Sequence, residues 1–191
     1  CLSGPSITFS IERIKSNCEI FLRFSRAAKI APSFIKEYKS VFVWAKNPGM
    51  RDTGVEVKRG DVVTILAEGE INVWPARAGN IRNPYGTLLF RVGKDKKDNM
   101  VERYSGFALT TVHSEGHLYL GYVGSQIDLY GESMNRLDYN DDIGHFVVDI
   151  IVWKTNDPIL MAKFFEEARQ RDPQNYVLKD MSMNFEKRKE L

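Results

Sequence analysis

Apolar and polar positions alternate with a period close to two along much of the chain. Between residues 41 and 156 the apolar runs are short: Val41-Phe42-Val43-Trp44, Asp61 to Ala67, Thr87 to Val92, Gly106 to Leu109, His117 to Tyr122 and Phe146 to Trp153. They are rich in branched and aromatic side chains, which suit a pleated, half-buried surface. Turn-forming clusters separate them: Asn47-Pro48-Gly49, Arg59-Gly60-Asp61, Asn83-Pro84-Tyr85-Gly86 and Gly93-Lys94-Asp95. Regular short strands with no helical pattern between them predict a mainly β fold of the sandwich type. Upstream, Ile7, Phe9 and Ile11, then Cys18, Ile20, Leu22 and Phe24, repeat the alternation around Lys15-Ser16-Asn17. This predicts an N-terminal β-hairpin, with Cys18 a buried strand residue rather than a reactive thiol. Ala27 to Tyr38 reads as a short helix broken near Pro32.

The period changes after residue 156. Asp157-Pro158 sets an N-capping acid before a proline at the first helical position. Met161, Phe164, Phe165 and Ala168 then fall on one helical face. A second pair, Asp172-Pro173, ends this helix and starts another.

Composition bounds the class. The 191 residues are 43% hydrophobic and 27% charged, which excludes disordered and collagen-like chains. A net charge of +2 is too mild to imply nucleic acid as partner. No apolar run approaches the ~18 residues of a spanning helix. Two cysteines make neither a disulfide framework nor a four-cysteine zinc site. Thirteen of the 14 glycines lie between Gly49 and Gly144, so turns that need positive φ are confined to the middle. Three segments follow: an extension over 1–40, a sandwich over 41–156 and a helical tail over 157–191.

The motifs of common enzymes are absent. His113 and His117 have helical metal-ligand spacing, but Gly116 and strand residues surround them, so they read as turn or edge histidines. There is no nucleophile elbow, P-loop or dinucleotide fingerprint. The chain therefore reads as non-enzymatic. Its sharper feature is acidic. From Gln126 to Asp149 six acids (Asp128, Glu132, Asp138, Asp141, Asp142, Asp149) face one base, Arg136. Asp138-Tyr139-Asn140-Asp141-Asp142 gathers four carboxylate or amide side chains in five residues. Calcium takes six to eight oxygen ligands, so this loop is a candidate calcium site, with a solvated acidic loop as the plain alternative.

Within the run Val41 to Pro75 stand Asp52-Thr53-Gly54-Val55, Gly60-Asp61-Val62-Val63-Thr64-Ile65, Ala67-Glu68-Gly69 and Pro75. In these the chain resembles the calcium-dependent galactose-binding bacterial lectins of the PA-I type. Gly86 to Gly93, Gly116 to Gly121 and Asp141 to Ile150 extend the resemblance in the same order. It implies a jelly-roll-like, galactose-binding-domain-like β-sandwich in which Asp52-Thr53-Gly54 makes a turn. It also implies calcium ligands at Asp141 and Asp142, with a backbone carbonyl near Val57. The family's Asp after the G-x-L-x-L strand is replaced by Val123-Gly124, with Asp128 or Asp138 as candidate substitutes. Its sugar-gripping His-Pro loop is shortened to Asn83-Pro84-Tyr85.

Aromatic faces stack on sugar rings. Trp74, Tyr85 and Tyr130 are the surface candidates, whereas Trp44 and Trp153 lie in apolar strands and read as core. Cys1 at the first position resembles the mature N-terminus of a bacterial lipoprotein. This implies lipidation of Cys1, a membrane anchor and a place in the bacterial cell envelope, periplasm or outer membrane. Ala162, Phe165, Ala168 and Asp172-Pro173 with Asn175 resemble a tetratricopeptide-repeat helix and its exit turn. Two functions follow. One is a structural lipoprotein that docks with protein partners in a larger envelope assembly. The other is a carbohydrate-binding, lectin-like module that uses calcium in loop 126–142.

Overall fold

Nine strands and one helix form among the residues that the computed structural model describes, 34–46, 49–76, 80–93, 102–105, 108–123 and 141–171. The chain divides into two compact units, Ser33–Asn156 and a second made of Cys1–Pro32 with Asp157–Leu191. All nine strands lie in the first. They are β1 (Ile35–Trp44), β2 (Arg51–Val57), β3 (Val62–Asn72), β4 (Ile81–Arg82), β5 (Leu88–Val92), β6 (Glu102–Arg103), β7 (Ala108–Thr111), β8 (Gly116–Tyr122) and β9 (Ile143–Trp153).

Two antiparallel sheets result. The first has the order β1-β9-β3, and the far side of β3 pairs with β7 at its start and β4 at its end. The second has the order β2-β8-β5-β6. The two pack as a β-sandwich. Successive strand residues point to opposite faces, so every second residue enters the core. Val63, Ile65, Ala67 and Ile71 of β3, and Phe146, Val148, Ile150 and Val152 of β9, fill it from the first sheet. Val55, Val57, Leu88, Phe90, Leu118, Leu120 and Tyr122 fill it from the second. Fully burying side chains of this size contributes about 1.5–3 kcal/mol each.

The near-continuous apolar run of β9 has its own cause. From Phe146 onward β9 is buried on both faces. On the outer face Ile151 and Trp153 are buried as well, and the Trp153 indole N–H donates to Thr64 Oγ1 at 2.9 Å.

Three expectations from the sequence are corrected. Residues 35–38 are not helical: they are extended in β1, where Ile35, Glu37 and Tyr38 pair with Trp153, Val152 and Ile151 of β9. Pairing with a long buried strand outweighs a weak local helical preference. Asp52-Thr53-Gly54 is not a turn but a bulge inside β2, where the pairing with β8 shifts register between Asp52 and Glu56. There the Gly54 N–H donates to Asp52 Oδ1 at 2.7 Å, and Thr53 Oγ1 donates to the Leu118 carbonyl at 2.7 Å. Trp44 is not core. It lies on the outer face of β1, 48% exposed, because Val43 and Ala45 take the inward positions on either side.

In the second unit, α1 (Pro158–Arg171) starts as the Asp157-Pro158 pair implies: the Ile159 N–H donates to Asp157 Oδ1 at 2.8 Å. Met161, Ala162, Phe164 and Phe165 are buried, the two phenylalanine rings meeting edge to face. The expected N-terminal hairpin with Cys18, and the second tail helix, lie outside the described residues.

A candidate ligand site at one end of the sandwich

Register shows which loops share an end. Asn72, at the end of β3, pairs with Ile143 at the start of β9 and with Ile81 of β4. Trp74 follows two residues later, its N–H donating to Asn72 Oδ1 at 3.1 Å. Tyr122, at the end of β8, pairs with Leu88 of β5. The turn before β5 is closed by the N–H groups of Thr87 and Leu88, which both donate to the Pro84 carbonyl. The loops carrying Trp74, Asn83-Pro84-Tyr85 and Asp141-Asp142 therefore open at the same end.

A buried polar clasp holds the two sheets together there. The Tyr122 hydroxyl lies 2.6 Å from Asp142 Oδ2 and also contacts the Ala45 carbonyl. A phenol carries one proton, so these two acceptors share it. Ala45 directly follows the edge strand β1, its N–H donating to the Gly144 carbonyl at 3.1 Å. Tyr122 thus ties β8 of one sheet to the β1–β9 corner of the other. Tyr122 and Asp142 are each 1% exposed.

Of the sequence-predicted site residues, Asp141, Trp74 and Tyr85 come to this end as exposed side chains, Trp74 at 47% and Tyr85 at 66%. Asp142 comes to it as a buried one. Asp128, Asp138, Asn140, Tyr130 and Cys1 lie outside the described residues. The Val57 carbonyl does not join them. Val57 pairs with Gly116, at the opposite end of β8 from Tyr122, roughly 20 Å away at ~3.3 Å per residue. Asp149, counted with the acidic stretch, lies within β9 as the strand run Phe146 to Trp153 implies, and is 7% exposed.

Calcium requires six to eight oxygens. Among the described residues no three acidic, histidine or cysteine side chains are grouped to hold an ion, and Asp142 is already engaged by Tyr122. The described residues by themselves therefore do not make a calcium site; they bring Asp141 and Asp142 to the mouth of one loop. His117 is not a ligand here. Its Nδ1 lies 2.7 Å from Asp52 Oδ2 in an exposed pair, and this hydrogen bond raises the imidazole pKa.

Sequence reasoning missed one group, the outward aromatics of β1 with His145 of β9. Phe42 and Trp44 are near-parallel, with centroids 5.5 Å apart and planes at 25°. The His145 ring lies 4.7 Å from Trp44 and 5.3 Å from Phe42. The signal was present in Val41-Phe42-Val43-Trp44: with both valines inward, period two sends both aromatics outward.

No protein-family model and no curated protein matches the chain. Among solved structures it is similar to one described as the EclA N-terminal domain, a PllA-like lectin. That match has a TM-score of 0.47 and 23% identity, and covers 59% of this chain and 94% of that one. It is also similar to a functionally unknown conserved protein, a mutant from Bacillus anthracis str. Ames. There the TM-score is 0.33 and the identity 12%, over 73% of this chain and 27% of that one.

Proposed function

We propose that the sandwich is a non-enzymatic binding module that captures a carbohydrate at the end where β9 begins. One observation carries the reading. Of the seven exposed large hydrophobic side chains among the described residues, four (Trp74, Ile81, Tyr85, Ile143) belong to this end, where Asp141 is also exposed, and two more, Phe42 and Trp44, lie on the adjoining outer face of β1. Exposed apolar groups gathered in one place mark a binding surface. Flat amphipathic rings beside a carboxylate suit a sugar, whose C–H faces stack while its hydroxyls donate hydrogen bonds.

Screening against immobilised glycans tests the proposal. Retention on at least one glycan is expected. Trp74→Ala and Tyr85→Ala should each weaken it about tenfold, equal to about 1.4 kcal/mol. No retention on any glycan sinks the reading and leaves a protein-docking subunit as the better account. Calcium, with Asp141 and acids of 126–140 as its ligands, is a separable part of the same proposal. A melt with excess calcium and then chelator checks it, since an ion bound only to the folded state raises Tm.

A further inference from the structure

We propose that the ligand is a chain of sugars rather than a single terminal sugar, and that it runs from the loop end onto the outer face of the first sheet over Trp44, His145 and Phe42. The inference rests on the carbohydrate reading of the loop end.

Strand register lays the surface out in rows, because directly paired residues share a face. At the mouth the row is Ile81, Asn72 and Ile143. One step inward it is Trp44, His145 and Glu70. The next is Phe42, Val147 and Glu68. Each step advances two residues, about 6.8 Å, so the track extends about 14 Å beyond the mouth. In the last row Val147 is itself buried, as are Asp149, Ile151 and Trp153 beyond it, so the track ends at Phe42. The exposed Ile143, Trp44 and Phe42, with the half-buried His145 beside them, thus form a strip continuous with the loop end.

The chemistry of the strip is two-sided. Aromatic rings line its β1 edge and glutamates its β3 edge, with His145 between them. At 5.5 Å between centroids, near-parallel rings are slid past one another, since carbon atoms in contact sit ~3.5–4.0 Å apart. Phe42 and Trp44 therefore present a stepped surface wider than one ring. Their mutual contact also orders them before a ligand arrives, which lowers the entropy lost on binding. Burial lowers the His145 pKa, so its ring is neutral at pH 7 and both donates and accepts. An apolar peptide laid on this strip would desolvate the glutamates at a cost. A sugar chain satisfies both edges, stacking on one and donating hydroxyls to the other.

Titration calorimetry with a bound monosaccharide and its oligosaccharides of increasing length tests this. In the native protein, affinity should rise at least tenfold with chain length. Trp44→Ala, and independently Phe42→Ala, should remove that gain while leaving the monosaccharide affinity within twofold. Both side chains are half-exposed, and an unchanged Tm checks that each variant is folded. Oligosaccharides that bind no better than the monosaccharide overturn the inference and leave the loop-end reading standing. Absence of all sugar binding overturns both. A protein that binds the native chain but not Trp44→Ala, with no glycan bound, overturns both in favour of a protein partner.

Discussion

Asp149 faces outward from the middle of β9 yet is only 7% exposed. Tyr38 donates its hydroxyl to Asp149 Oδ1 at 2.9 Å. Burial dominates over this bond and pushes the Asp149 pKa up to about 6, from an ordinary value of 3.8. The native state then holds the proton more tightly than the unfolded chain does. Stability is therefore fully present below about pH 4, falls as pH rises to about 6, and stays lower above that. That difference in proton affinity corresponds to a loss on the order of 3 kcal/mol. Asp149→Asn keeps an oxygen acceptor for Tyr38 and removes the charge. It should stabilise the protein by about 2–3 kcal/mol at pH 7.5 and have little effect at pH 4. Urea denaturation at the two pH values measures this, and equal stability of the two proteins at pH 7.5 would refute it. The same residue shows a limit of composition counting: it was tallied with the acids of 126–149 although the apolar run Phe146 to Trp153 already places it in a strand, and its burial comes from the fold.

At the scale of elements, the β3–β9 pair carries the sandwich and the site together. It is the longest pairing, from Val63 with Val152 to Asn72 with Ile143. Two glycines let the paired backbones approach closely near the loop end. Gly69 and Gly144 have φ of +104° and +99°. A Cβ on Gly144 would stand 2.2 Å from the Glu70 carbonyl oxygen, and one on Gly69 2.4 Å from that of His145. Gly144→Ala should cost about 2–3 kcal/mol, through both the backbone conformation and the clash. A shifted denaturant midpoint with an unchanged slope is the expected result, whereas a midpoint within error of native would show that the pair relaxes freely. Most of this architecture was legible in the sequence. Val62 to Ala67, Leu88 to Val92, His117 to Tyr122 and Phe146 to Trp153 read as strands because burial on one or both faces leaves an apolar pattern. β1 was half-hidden, since Ile35 to Ser40 has no clean alternation and is extended by its partner. β2 was hidden by its bulge, which looks locally like a turn. The loop end was legible as residue types, Trp74, Tyr85 and Asp141, but not as a place. Only the pairing of Asn72 with Ile143 and Ile81, and of Leu88 with Tyr122, brings those loops together.

For the whole molecule, the charge balance decides what kind of binding to expect. A net charge of +2 and a pI of about 8.5 give no strong long-range field. The outer-face strip adds Glu68 and Glu70 with a neutral imidazole, and no basic cluster. On the proposed reading, recognition would rest on ring stacking and hydrogen bonds, which act at contact distance. Salt screens interactions between exposed charges beyond a Debye length of about 10 Å at 0.1 M, and leaves contact interactions largely intact. Affinity for a neutral glycan should therefore change less than about twofold between 0.05 and 0.5 M sodium chloride, because the roughly threefold shortening of the screening length has no long-range attraction to remove. An anionic polymer held by counter-ion release behaves otherwise, its affinity falling steeply and log-linearly with salt. Titrations with the best glycan at the two salt concentrations separate the cases. A fall of tenfold or more would mean that charged ligand groups carry the binding, and that a basic surface elsewhere, not the aromatic end of the sandwich, is the site.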